Sequence, residues 1–196
     1  MTSVAAGVAL LKGAVGFALV CAGEVTPGKL ANRTPCERWD LRALLAHSAD
    51  SALVVREAIG SGCVAPDDIA DPGPGFGSRY CRDPAAAFRA EARMLLGACT
   101  VAGAERRVAV GDHQLAIAIV AATGAIELAV HGWDISVACG AGRPIPPILA
   151  RDLLDVTPWL VTDATRAGLF ADAVRVTPLA GPGDKLVAML GRTPAA

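Results

Sequence analysis

Glu127 and His131 stand four residues apart in the run AIELAVHGWDIS, and His47 stands far upstream in DLRALLAHSAD. A spacing of four on a helix puts two side chains on one face, one turn apart, so both can reach one point. His47 also falls mid-helix among apolar neighbours. Two imidazoles and one carboxylate converging inside a helical bundle make a three-ligand set for a divalent metal such as zinc. At least one coordination position stays open, as in catalytic rather than structural sites. Plainer readings exist for each residue: a buried Glu127 can pair with an arginine of a neighbouring helix, and each histidine can be a hydrogen-bonded core residue.

Two acids follow these histidines at a spacing of three. Asp134 follows His131 and Asp50 follows His47. Each could accept a ring N–H and fix the tautomer of a ligating histidine, or be an ordinary aspartate on a helix surface. His113, in GDHQ, reads as a solvent-exposed residue at the start of a helix. Its alternative role is a proton carrier at the mouth of the site. The chain holds no HExxH helix, EF-hand loop, phosphate-binding glycine loop or GxSxG elbow. The Glu-x-x-x-His spacing also differs from the paired Glu-x-x-His of a di-iron bundle, and there is no second copy.

The elements that must position these residues are mostly helices. The first is read at about 3–23, with Val8, Leu11, Val15, Ala18 and Leu19 on one stripe. The segment is long enough to span a membrane, but Lys12 in its middle would cost about 2.5–3.5 kcal/mol. No basic region precedes it as in a signal peptide. A buried bundle helix in a soluble cytoplasmic protein is therefore expected. Asp40 is the N-cap of a second helix, about 41–59, carrying His47. Residues 60–83, rich in Gly, Pro and Asp, read as a long loop, either a lid or pocket wall or a plain connector. Asp83-Pro84 opens a third helix, to about Ala102. A short extended piece, ERRVAVG, comes next. A fourth helix runs from near Asp112 to about Ala138, ended by the glycines at 140 and 142. A fifth is read at about 146–166, followed by an extended AVRVTPL and a terminal helix at about 182–190. Residues 1–196 thus read as one all-α domain, a four-helix bundle with an additional C-terminal helix and a short extended tail.

Composition narrows the partners. The 196 residues are 53% hydrophobic, enough for a real core, and the formal net charge is -1. With no basic stripe, one tyrosine and four phenylalanines, the chain offers neither a phosphate footprint nor a base-stacking platform. Neither nucleic acid nor an anionic membrane surface is therefore expected as a partner. The six cysteines, at 21, 36, 63, 81, 99 and 139, form no CxxC pair and read as buried hydrophobes or idle thiols of a reducing compartment.

Three strings carry a family resemblance: TPCERWDLRALLAH at 34–47, ELAVHGWDISVACG at 127–140 and GDKLVAMLGRTP at 183–194. With them the chain resembles the DinB-like metal-binding bundles of actinobacteria, of the maleylpyruvate isomerase N-terminal type, over almost its whole length. The resemblance implies a metal, usually zinc, held at His47, Glu127 and His131. It also implies thiol-dependent isomerase or S-transferase chemistry with mycothiol as the thiol and a small electrophile as the substrate. An open metal position binds a thiol sulfur, lowers its pKa and presents a thiolate. The two-domain isomerases carry an additional C-terminal α/β domain, whereas this chain ends soon after GRTP. A stand-alone S-transferase, or a member specialised for a particular electrophile, is the expectation. The alternatives are a non-catalytic metal- or ligand-binding bundle, closed by a fourth ligand such as a cysteine or His113, and a metal-assisted hydrolase with Asp134 or His113 as base. The donor set suits zinc, nickel, iron or manganese, and the chain can be a monomer or a homodimer.

Overall fold

A computed structural model describes residues 4–37, 39–64, 82–101, 107–110, 112–166 and 170–194. Its four long helices are α1 (Val4–Ala22), α2 (Leu41–Ser61), α3 (Pro84–Val101) and α4 (Ile117–Ala138). They close a ring in which α1 packs on α4, α4 on α2, α2 on α3 and α3 on α1. This is the expected four-helix bundle. Three shorter helices follow: α5 (Pro147–Leu160), α6 (Asp163–Arg166) and α7 (Pro182–Met189). Helices α5 and α7 pack on each other, and α5 also lies against α1 and α4.

Local chemistry sets the helix ends. The Asp40 carboxylate accepts the Ala43 N–H at 2.8 Å, opening α2 about two turns before His47. Asp83 accepts the Ala86 N–H at 2.8 Å, with Pro84 as the first residue of α3. Helix α4 lacks a side-chain cap and is buried on nearly every side, as the apolar central helix of a bundle must be. Its seam with α1 is made of small residues: Ala14, Ala18, Ala121, Ala125 and Ala129 are fully buried. A Cβ at Gly7 would lie 2.8 Å from the Ala118 carbonyl oxygen, and one at Gly132 would lie 3.0 Å from the Ala18 Cα. The two backbones approach that closely only because side chains are missing there, and His131 sits beside this contact.

Helices α1 and α4 are both long and apolar enough to cross a membrane. In the bundle, however, Leu11, Val15 and Ala18 of the expected α1 stripe are fully buried, Val8 and Leu19 partly so, and Lys12 is exposed.

Some expectations need correction. Helix α4 starts at Ile117, not near Asp112, because His113–Ala116 form a strand. This β3 pairs antiparallel with β2 (Arg107–Val110), which realises the expected extended piece. Val110 faces His113 across the ladder, so only 111–112 separate the strands, and Gly-Asp is a two-residue hairpin signal. A two-residue β1 (Cys63–Val64) joins β2 in parallel. Residues 60–61 therefore continue α2 and 63–64 form β1. Most of the expected long loop, 65–81, lies outside the described residues. The fifth helix stops at Leu160 rather than 166. Val161 leaves helical geometry (φ -109°, ψ 85°), and the Thr165 hydroxyl accepts the Thr162 N–H at 2.9 Å, so α6 restarts the chain. The AVRVTPL stretch joins no sheet. It runs beside α7, with the Val174 N–H donating to the Ala188 carbonyl.

Candidate metal centre

Helix α2 supplies His47, and α4 supplies Glu127 and His131, one turn apart. The α2–α4 contact brings them together across 80 residues of sequence. Glu127 Oε1 lies 2.6 Å from His47 Nε2 and 3.1 Å from His131 Nε2. One ligand atom from each of the three lies within 4.8 Å of the other two. The imidazole rings stand perpendicular, with centroids 5.1 Å apart. Side-chain exposure rises from 7% at His131 to 19% at His47 and 26% at Glu127, so the cluster opens to solvent on the Glu127 side.

On its closed side, His131 Nδ1 lies 2.9 Å from Asp134 Oδ2, and Asp134 is fully buried. At that distance the Asp134 carboxylate can accept a ring N–H from Nδ1, which would leave Nε2 turned toward the cluster. Asp50 sits one turn beyond His47, partly buried, and does not contribute to the three-residue group. His113 is exposed on β3, paired with Val110, and is likewise not part of it. Among the described residues, no cysteine or fourth acid completes the group.

Three neighbours were not foreseen. Trp39 stacks on His47 (centroids 4.2 Å, planes 30° apart) and meets His131 edge-on at 5.9 Å. The Ser51 hydroxyl lies 3.4 Å from Glu127 Oε1 and 3.5 Å from His47 Nε2. Ser51 is four residues after His47, so the same helical spacing that paired Glu127 with His131 would have found it. The third is Arg192, whose guanidinium reaches Asp134 from beyond α7. No local pattern signals it, since its partner lies 58 residues away.

The electrostatics are those of a coupled cluster. Burial works against charge on His131. The Glu127 charge, the hydrogen bonds from Asp134 and Glu127 and the Asp134 charge outweigh it and push the His131 pKa up to about 9. Burial likewise opposes ionisation of Glu127, but the two histidines hold its carboxyl well below the usual range. Without a metal, the cluster is thus a carboxylate held between two imidazoles. Ligands of a tetrahedral ion, each about 2.0–2.2 Å from it, sit about 3.3 Å apart. Side-chain shifts of under an ångström would make that room. Two nitrogens and one oxygen, with no fourth protein donor in the group, fit a divalent ion with an open position. Three of the cysteines are poorly suited to ionise: burial pushes the Cys21 thiol up to about 12 and also raises Cys99 and Cys139.

Fold and site together define a four-helix bundle able to hold a metal between two of its helices. The chain belongs to the mycothiol maleylpyruvate isomerase N-terminal domain family, whose model matches residues 15–136 and so spans all three cluster residues. No curated protein and no solved structure matches the chain. The family links the chain to mycothiol-related chemistry in a DinB-like, metal-binding bundle.

Proposed function

We propose that this protein is a zinc-dependent S-transferase or isomerase. It would join mycothiol, or a similar low-molecular-weight thiol, to a small electrophile in the cytoplasm. The observation that carries the reading is the convergence of His47, Glu127 and His131 into a three-donor group, with no fourth ligand among the described residues, inside the matched family span. His47, Glu127 and His131 would hold the ion. When bound, it would supply a Lewis-acidic position at which a thiol is kept as its thiolate.

The chain's own residues prepare that position. Asp134 holds the Nδ1 side of His131, so the ring cannot rotate away. Trp39 covers one face of His47 and restricts its ring. Glu127, on the exposed side, supplies the negative charge that attracts a cation and leaves room for thiol and electrophile to approach from solvent. A hydrolytic reading needs a free base beside the metal. Asp134 is fully buried, with its carboxylate engaged by His131 and Arg192, and His113 is exposed on β3, which favours the thiol reading.

Metal content of protein purified without a nickel column is the first test. About one zinc per chain is expected in the wild type and none in His47→Ala. Cobalt-loaded protein should then show a sulfur-to-metal charge-transfer band on addition of a mycothiol analogue. Equal thiol binding by wild type and His131→Ala would reject the metal–thiolate mechanism. Absence of metal from both wild type and His47→Ala would reduce the site to a structural Glu–His pair.

A further inference from the structure

We infer that Arg192 is a positioning residue for the metal centre, acting through Asp134 from the C-terminal segment that lies beyond the matched family span. This rests on the metal reading above. Arg192 is 6% exposed and Asp134 is fully buried, so the pair is largely shielded from solvent. Arg192 Nη2 donates to Asp134 Oδ2 at 3.0 Å, and Nε lies 3.4 Å from Oδ1. The same Oδ2 faces His131 Nδ1 at 2.9 Å. One oxygen therefore joins a cation carried by the tail to a ring of the metal cluster.

The tail is built to deliver this guanidinium. Arg192 Nη1 donates to the Leu190 carbonyl at 2.8 Å, and the Arg192 N–H donates to the Val187 carbonyl at 2.9 Å. Gly191 turns the chain at φ +83°, and a Cβ there would lie 2.7 Å from that of Ala171. Arg166 ties the same corner, donating to the Ala171 and Met189 carbonyls. With Nη1 anchored on the Leu190 carbonyl and the backbone N–H on the Val187 carbonyl, the guanidinium presents Nε and Nη2 to Asp134 and sets where its carboxylate can lie. The carboxylate in turn sets the His131 ring. Removing Arg192 would leave Asp134 buried with one partner in place of two, free to rotate about its side-chain bonds.

Partners that orient a metal-ligating histidine typically carry 10- to 100-fold in metal affinity. The test is a zinc affinity measurement by chelator competition, with cobalt ligand-field spectra, on wild type, Arg192→Gln, Arg192→Lys, Asp134→Asn, the double variant Arg192→Gln/Asp134→Asn, and His47→Ala. Circular dichroism melting selects the variants that fold. Arg192→Gln is expected to weaken zinc about 10-fold or more and to alter the cobalt spectrum. Arg192→Lys, which keeps the charge but not the planar grip, should weaken it less. The double variant should bind no worse than Asp134→Asn alone. Wild-type affinity in a folded Arg192→Gln would overturn the inference, as would additive losses in the double variant. If Arg192→Gln does not fold, wild-type affinity and spectrum in Arg192→Lys overturn it instead. Unchanged zinc affinity in His47→Ala would sink the metal reading itself, a result separable from the others.

Discussion

At the residue scale, the proposed metal site would set a proton and a metal in competition for the same lone pair. In the metal-free chain, His131 keeps its proton up to about 9, against an ordinary 6.5, because Glu127 and Asp134 outweigh its burial. Its folded pKa is raised, so the stability it gives the metal-free protein is complete below about 6.5 and is lost as pH rises through about 9. Metal binding has the opposite dependence, since Nε2 must shed that proton first. Zinc affinity should therefore rise by up to about tenfold per pH unit between 7 and 9, levelling off above. A flat profile from pH-controlled competition titrations would show that His131 is not a ligand. Glu127→Gln keeps the shape of the side chain but removes the only anionic donor of the group, so it should weaken zinc clearly while the fold persists. Unchanged affinity would make Glu127 structural. The three donors were legible because chemistry and spacing coincide at Glu127 and His131. Trp39 and Arg192 were not, because an aromatic ring over an imidazole and a cation behind an acid arise only from tertiary contact.

At the element scale, the site depends on how closely α1 and α4 run. Gly132 is next to His131 and faces Ala18, where a Cβ would come within 3.0 Å of backbone. Gly132→Ala must push the helices apart, at about 1–3 kcal/mol. Since that shift occurs beside His131, it should weaken metal binding as well as lower the melting temperature. Asp40→Ala is the contrast. Loss of the α2 cap costs about 0.5–2 kcal/mol, but the cap is about two turns before His47 and its carboxylate bonds the Ala43 N–H. It should lower the melting temperature and leave zinc affinity unchanged. Both variants weakening zinc alike would mean that affinity follows global stability and not the α1–α4 seam. The long helices were readable from apolar spacing and from Asp40 and Asp83-Pro84. The β2–β3 hairpin was half hidden: its second strand is four residues long and runs straight into α4, so no break in hydropathy marks the boundary. The end of α5 was also obscured, since the Thr162–Thr165 hydroxyl exchange that restarts the chain has no hydrophobic signature.

At the scale of the whole molecule, the His47–Glu127–His131 cluster sits where otherwise separate parts of the chain meet. Helix α2 brings His47, α4 brings Glu127 and His131, and the C-terminal segment closes behind with Arg192 on Asp134. The bundle itself is held by apolar packing of α1–α4, so the metal-free chain should fold, with the Glu127–histidine bonds in place of the ion. Zinc binding to the folded state alone must then raise stability by mass action. At free zinc a thousandfold above Kd the gain is about 4 kcal/mol, and a chain of this size gains ~2–4 °C per kcal/mol, so the melting temperature should rise roughly 8–16 °C. The Glu127–histidine bonds given up on binding already count within the measured Kd. The same addition to His47→Ala should give little or no shift, because the ion keeps at most two donors. A wild-type shift of under about 2 °C at saturating zinc would mean that the ion does not discriminate folded from unfolded chain. An equal shift in His47→Ala would place the binding somewhere other than between α2 and α4.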